Sequence, residues 1–375
     1  MQPNAFESLA RILVDSQCEV GGGARLLSLD GGGIRGLSSL VVLERIMRAV
    51  KDVLVEKGIE PQQKLPKPCD YFDLIGGTST GGIIALMLGP LKMQVEDAID
   101  CYKEFSREVF GTKKWGFSDG KYKSTKLKSA IEGTVAKFGD GQTMLRNDGT
   151  KTYGSSVLHN HTSAEFTPFH PSCPVCSFVC ARNGDQNRLV LMCSYEVEEA
   201  SQPRRFHDPG DKTGLKIWQA ALATSAAPSF FKPVKLNGIS FIDGGLGYNN
   251  PAFEVLDEGE DLFDFSVPGP GNNAKGLACL VSIGTGEAKV VSAYNWQRSL
   301  RQRVVPVQTI RAMIAIVTDC DSTHERLTRR FRSCPHKYFR FNVEEGLEDI
   351  GLDHWKKLDE VERATKGYLT GLERE

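Results

Sequence analysis

Ser79 stands in Gly77-Thr78-Ser79-Thr80-Gly81, with the apolar run Tyr71 to Ile75 before it and Ile83 to Met87 after it. The spacing is that of a nucleophile elbow. In such an elbow serine sits on a tight strand-to-helix turn, and its neighbours two positions away stay small because a side chain there would strike the adjoining strand or helix. The N-terminus of the following helix turns free N–H groups and the positive end of its dipole toward the reacting oxygen. The plain alternative is a Gly/Ser/Thr-rich loop that only turns the chain. A second glycine cluster lies upstream, Asp30-Gly31-Gly32-Gly33-Ile34-Arg35-Gly36. Gly31, Gly33 and Gly36 fit a dinucleotide phosphate loop, an oxyanion hole of converging N–H groups, or a simple tight turn. A dinucleotide site calls for an acidic residue at the end of a second strand about 20 residues on. Glu56 and Glu60 stand near that distance, but in a polar segment leading to Pro61. A serine turn just downstream favours the oxyanion hole. A third cluster, Asp243-Gly244-Gly245, ends an apolar stretch; it is either an Asx turn or a carboxylate aimed at another side chain.

Other residues with chemical potential are His159, His161, His170, Cys173, Cys176 and Cys180. Cys173 and Cys176 form a C-x-x-C pair, yet no second pair follows at zinc-finger spacing, so free thiols are the default and zinc the weaker reading. Arg326, Arg329, Arg330 and Arg332 cluster near the end of a helical stretch. They suit a solvated helix C-terminus better than a phosphate or membrane-surface site.

Composition narrows the class. The 375 residues are 40% hydrophobic and carry a net charge of −1, enough for a large core and without a whole-chain basic field for nucleic acid. No apolar run reaches the length of about 20 residues that spans a bilayer, and residues 1–20 lack the pattern of a secretory signal. Ten cysteines without a regular framework fit reduced thiols. The expected location is therefore cytoplasmic, with transient contact at a membrane surface if the substrate is a lipid.

These residues need elements to hold them. Residues 1–22 read as a short helix or loose tail ending in a glycine joint. Arg25 to Leu29 is a short strand, and Leu37 to Leu54 has the apolar spacing of a helix, so the first glycine cluster joins a strand to a helix. Gln94 to Phe110 is an amphipathic helix. Residues 111–172 are polar and weakly periodic, as expected of a variable lid or insertion. Ser177–Ala181 and Arg188–Tyr195 form a hairpin around Asn183-Gly184-Asp185, and Lys216 to Ala223 is a helix. Val234 to Ile242 is a strand that delivers Asp243. Gly276 to Ile283 and Lys337 to Val343 are further strands; Val304 to Phe331 and Trp355 to Leu369 are helices.

The three clusters in this order resemble the patatin-like phospholipase family. Trp218 to Pro228, Asn249-Asn250-Pro251 and Ser282 to Gly286 resemble further features of that family. The resemblance implies a three-layer α/β/α sandwich with a mostly parallel central sheet, spanning residues 23–372 behind a tail of residues 1–22. It implies a Ser-Asp dyad with Ser79 as nucleophile and Asp243 as its activating group. Gly32 and Gly33 would supply oxyanion N–H groups, Gly31 and Gly36 would shape the loop, and Gly244 and Gly245 complete the third motif. Arg35 would meet a phosphate head group or brace the loop. The implied activity is ester hydrolysis of phospholipids or related acyl lipids through an acyl-enzyme, with no metal or other cofactor. The alternatives are acyl transfer on the same dyad, or a non-catalytic module that senses lipid or a partner. The seven histidines also allow a rival triad of Ser79, Asp243 and His324.

Overall fold

In the computed structural model, residues 4–18, 22–59, 64–112, 121–139, 175–195, 214–263, 265–266, 275–286 and 320–373 are described. Strand β1 (Ala24–Leu29) is buried at every position, as expected of a strand covered on both faces. It pairs in parallel with β2 (Leu74–Thr78) on one side and β7 (Leu277–Ile283) on the other. The sheet continues in parallel to β3 (Cys176–Asn183) beyond β2 and to β8 (Tyr338–Phe341) beyond β7. At the β3 side it turns antiparallel. There β4 (Arg188–Cys193) and β6 (Ile239–Asp243) pair with β3, and β5 (Val234–Leu236) pairs with β6. The expected mostly parallel sheet is present.

Period-two alternation sorts each strand's side chains into two cores. Leu27, Ile75, Val179 and Val281 face one cluster, whereas Leu26, Leu74, Phe178 and Leu280 face the other. The first cluster is closed by α1 (Ala5–Cys18), α2 (Gly36–Glu56), α3 (Thr80–Leu88), α4 (Val95–Phe110), α5 (Ser124–Phe138), α6 (Ile217–Thr224) and α9 (Leu358–Leu372). The second is closed by α7 (Ala252–Phe263) and α8 (Cys320–Arg330). Helices on both faces of one sheet make the three layers.

Three stretches differ in detail from their sequence expectations. Residues 5–18 are a helix within the core: Phe6, Leu9, Ala10 and Leu13 are all 0% exposed, and Phe6 stacks on Phe341 with ring centroids 5.0 Å apart. Their helical spacing, in an otherwise mixed segment, is the signal for it. The region 111–172 contains α5, whose Leu127, Ile131 and Val135 are buried at four-residue spacing; residues 113–120 and 140–172 lie outside the described residues. The single strand expected from Val234 to Ile242 is a hairpin, β5 and β6, turned at Asn237-Gly238 with φ of 47° and 80°. Asn-Gly is the commonest two-residue turn with positive φ at both positions, because its twist matches that of the paired strands. Of the helix expected over Val304 to Phe331, residues 304–319 lie outside the described residues.

Candidate active site

The elbow is built by close approach of backbone to backbone. A Cβ on Gly77 would lie 2.3 Å from the Gly81 carbonyl oxygen, and one on Gly81 would lie 2.4 Å from the carbonyl oxygens of both Leu29 and Asp30. Neither position tolerates a side chain, so strand β2 can reverse into α3 within one residue. That residue is Ser79, with φ 55° and ψ −125°, a conformation costly for a residue with a Cβ. Ser79 N–H donates to Thr224 Oγ1 at 2.9 Å, and the Thr224 hydroxyl donates to the Cys180 carbonyl at 2.6 Å. Thr78 Oγ1 donates to the Tyr248 carbonyl at 2.6 Å.

Strand β3 explains how Asp243 reaches the serine. Phe178 to Cys180 pair with β4 on one edge and β2 on the other, while Ala181 to Asn183 pair with β4 and with β6. Strands β2 and β6 therefore share one edge of β3 and run toward each other. Thr78 ends opposite Cys180 and Asp243 ends opposite Ala181, the adjacent residue. The consequence is a direct contact: Ser79 Oγ donates to Asp243 Oδ2 at 2.7 Å. Gly245 N–H donates to Asp243 Oδ1 at 2.7 Å, and Gly244 is held against the Cys180 carbonyl, 2.5 Å from where a Cβ would stand. Burial pushes the Asp243 carboxyl up to about 6, against the opposing hydrogen bonds from Ser79 and Gly245.

The first glycine cluster lies beside the elbow. Gly31 has no room for a side chain: its Cβ would lie 2.4 Å from Asn249 Oδ1 and 3.0 Å from Ser79 Cβ. Gly31 N–H donates to the Asn249 carbonyl at 3.0 Å, and its carbonyl accepts from Thr285 Oγ1 at 3.0 Å and Asn249 Nδ2 at 3.1 Å. Of the two glycines expected as oxyanion donors, Gly32 already donates its N–H to Thr80 Oγ1 at 3.2 Å, whereas Gly33 N–H meets no acceptor among the described residues. Gly33 has φ 57°, and its Cα faces the Leu352 carbonyl, which accepts from Ile34 N–H at 2.9 Å. Gly36 packs against Tyr102, whose hydroxyl donates to the Gly33 carbonyl at 2.5 Å. Arg35 is buried, and that burial pushes its guanidinium below its usual range.

Several contacts around the site gave no sign in the sequence. Thr224, Tyr102 and Arg340 act through partners 145, 69 and 310 positions away. Arg340 Nη2 bonds Asp30 Oδ2 at 2.7 Å and Nη1 bonds Ser282 Oγ at 2.8 Å, so a buried ion pair anchors the root of the glycine loop. Asn249 and Thr285 belong to stretches already conspicuous for their small and amide residues.

His324 takes no part in the contact between Ser79 and Asp243, which is direct. Its Nδ1 lies 3.1 Å from the Tyr338 hydroxyl on β8. His159, His161, His170 and Cys173 lie outside the described residues, and Cys176 and Cys180 are buried in β3. Among the described residues, no group of three or more His, Cys, Asp or Glu could hold a metal ion. No helix among them is long and apolar enough to cross a membrane.

A serine hydroxyl on a buried carboxylate, beside a backbone N–H that meets no acceptor among the described residues, is equipped for acyl transfer. The family described as patatin-like phospholipase matches residues 27–256. Human calcium-independent phospholipase A2-gamma is 29% identical over 371 residues, covering 93% of this chain and 38% of its own length. The 85/88 kDa calcium-independent phospholipase A2 of mouse is 29% identical over 343 residues, covering 88% of this chain and 36% of its own. Phospholipase A I of Arabidopsis thaliana is 26% identical over 379 residues, covering 90% of this chain and 26% of its own. The chain thus spans less than half the length of each of these relatives.

Proposed function

The chain belongs to the patatin-like phospholipase family, and from that premise we propose that it hydrolyses acyl esters of phospholipids or related lipids through Ser79 and Asp243. The observation that carries the proposal is the 2.7 Å hydrogen bond from Ser79 Oγ to Asp243 Oδ2, with no imidazole between them. Asp243 Oδ2 takes the hydroxyl proton as Oγ attacks the ester carbonyl. The negative charge that develops on the carbonyl oxygen is met by Gly33 N–H, and Gly32 N–H joins it if it exchanges Thr80 Oγ1 for the oxyanion. Collapse of the tetrahedral intermediate expels the alcohol, which leaves with the proton from Asp243, and the acyl group stays on Ser79. Water then attacks the acyl-enzyme, Asp243 accepts its proton, and the fatty acid departs as Ser79 regains a proton. Carboxylate is a weaker base than imidazole. Burial compensates by raising its proton affinity toward neutrality, which is supported by the Asp243 value of about 6.

Arg35, buried, supports the bracing role rather than contact with a head group. The catalytic unit extends over residues 23–372 and takes in the helix over residues 5–18, whose side chains share the core with β8.

Ester hydrolysis on a short-chain chromogenic ester and on mixed phospholipid vesicles, with EDTA present, tests the proposal. Ser79→Ala and Asp243→Asn lose about 10³-fold or more of the wild-type kcat, while His324→Ala keeps it and EDTA has no effect. Loss in His324→Ala as well would shift the mechanism to a triad. A requirement for metal, or turnover persisting in Ser79→Ala, would overturn it. Release of free fatty acid without an added acceptor alcohol is the outcome expected of hydrolysis rather than acyl transfer.

A further inference from the structure

A glycine N–H has no side chain to steady it, so it points where the peptide units beside it are held. The unit that joins Gly33 to Ile34 is held at both ends. Its carbonyl accepts from the Tyr102 hydroxyl at 2.5 Å, and its N–H donates to the Leu352 carbonyl at 2.9 Å. The Leu352 carbonyl oxygen also lies against Gly33 itself, 2.2 Å from where a Cβ would stand. That carbonyl belongs to the peptide unit shared by Leu352 and Asp353, on the turn between β8 and α9. His354 N–H donates to the Gly351 carbonyl at 3.1 Å, and Trp355 N–H to the Asp353 carbonyl at 2.9 Å, which closes the turn on itself. The Asp353 side chain reaches outward from it. Tyr122, buried just before α5, donates its hydroxyl to Asp353 Oδ2 at 2.6 Å, and Lys121 Nζ pairs with the same oxygen. Burial favours the protonated carboxyl, but the bonds from Lys121 and Tyr122 outweigh it and hold Asp353 below the usual carboxylate range. Lys121 and Tyr122 are anchored in turn beside Asp243. Their N–H groups donate to the Ser229 and Phe230 carbonyls, both at 2.9 Å, and the Ala226 carbonyl of that segment accepts from Asp243 N–H at 3.1 Å. Asp353 thus joins the backbone that faces Gly33 to the backbone that holds Asp243. A buried carboxylate costs desolvation that an apolar residue would avoid, and here two donors from another part of the chain offset it.

We propose that Asp353 is a positioning residue: tied by Tyr122 and Lys121, it fixes the Leu352 carbonyl against the glycine loop and so aims Gly33 N–H at the developing oxyanion. The inference rests on Ser79 and the Gly33 loop having the roles given above. The competing role is a brace for the turn alone. The two roles move different quantities. Loss of a brace lowers the melting temperature and leaves kcat of the folded protein as it was. Loss of aim lowers kcat and spares KM, because the oxyanion exists only in the transition state. The Leu352 contact favours the positioning role, since the peptide unit that Asp353 holds is the one that meets both Gly33 and Ile34.

The test uses the full chain with Asp353→Leu, Asp353→Asn, Tyr122→Phe and the Asp353→Leu/Tyr122→Phe double variant. The assay is steady-state hydrolysis of the chromogenic ester well below the melting temperature of each variant, with melting curves to confirm folding. Asp353→Leu lowers kcat by about 10- to 100-fold with KM unchanged, the scale expected when an oriented group is misplaced rather than removed. Tyr122→Phe, which takes away one of the two donors, lowers it by about 5- to 10-fold. Asp353→Asn keeps an acceptor for the Tyr122 hydroxyl and regains most of the rate lost in Asp353→Leu. The double variant falls no further than Asp353→Leu, because without the carboxylate the Tyr122 hydroxyl has no such bond to lose. Wild-type kcat in folded Asp353→Leu, an effect confined to KM, or losses that multiply in the double variant would each overturn the inference. If Asp353→Leu fails to fold, the contrast between Tyr122→Phe and wild type decides alone. Loss of turnover in Ser79→Ala with wild-type rates in the Asp353 and Tyr122 variants removes only the positioning role; turnover persisting in Ser79→Ala removes both.

Discussion

Asp243 holds its proton more tightly folded than unfolded, and that difference sets stability and activity against each other. In an unfolded chain an aspartate titrates near 3.9. In the fold, burial pushes Asp243 to about 6. Between those values the native state keeps a proton that the unfolded state has lost, so Asp243 favours the fold most below about pH 4. That contribution is lost as pH rises through about 6, and a roughly hundredfold difference in proton affinity corresponds to about 3 kcal/mol. Asparagine has the same shape and no such dependence. Asp243→Asn is therefore expected to melt higher than wild type, by a margin that grows from pH 4 to pH 7, in a thermal denaturation series across that range. On the proposed mechanism activity runs the other way: only the ionised carboxylate would accept the Ser79 proton, so log kcat/KM is expected to rise with pH and level off above about 6. A flat profile from pH 5 to pH 8, or a melting difference independent of pH, would remove Asp243 as the base. The Ser79 elbow carries a local signature, glycines at fixed offsets that a tight turn requires, whereas Asp243-Gly244-Gly245 alone reads equally as an Asx turn, and only its resemblance to a family motif pairs it with Ser79. Thr224 lies in the conspicuous stretch Trp218 to Pro228, but its bond to the Ser79 N–H was not legible, because its side chain meets its partner only through the fold.

At the scale of elements, the candidate active site depends on where strands stop. Strand β3 serves as a common edge on which β2 and β6 arrive from opposite directions and end at adjacent residues, Cys180 and Ala181. Spacing along the chain cannot announce this, since Ser79 and Asp243 are 164 positions apart. One part of this was open to inference from a dipeptide: Asn237-Gly238 is a hairpin turn that splits the stretch into β5 and β6, but the direction in which β6 meets β3 is set by the fold. The elbow itself imposes a sharper demand, that two backbones touch. Gly81→Ala puts a methyl 2.4 Å from two carbonyl oxygens of β1 and its loop, and a loss of about 3 kcal/mol or more is expected, with inactive protein. Gly133, in α5, faces open space, so Gly133→Ala is expected to stabilise by up to about 1 kcal/mol through helix propensity alone. Paired melting curves check both, and a Gly81→Ala variant as stable as wild type would mean that the elbow is looser than these approaches require.

At the scale of the whole molecule, the glycine loop is held from the far end of the chain. The family match ends at residue 256, yet the loop that begins at Asp30 takes its supports from later residues. Arg340 on β8 pairs with Asp30, Thr285 beyond β7 bonds the Gly31 carbonyl, and the Leu352 carbonyl accepts from Ile34 N–H. Strands β1, β7 and β8 are consecutive neighbours in the sheet, so the ends of β7 and β8 come up beside the loop through pairing register alone. The pair between Arg340 and Asp30 is deeply buried, with side chains 7% and 1% exposed. Removing one partner from such a pair leaves a charge in a medium that cannot solvate it, at a cost of about 3–5 kcal/mol. Arg340→Met is expected to lose that much stability in denaturant unfolding and to lose turnover with it. Asp30→Asn/Arg340→Met, with neither charge, is expected to regain much of the stability. It should not regain the rate, because nothing then fixes the root of the loop. Recovery of both in the double variant would mean that the pair serves only the fold. Recovery of stability without rate would mean that β8, outside the family match, is part of what makes the serine reactive.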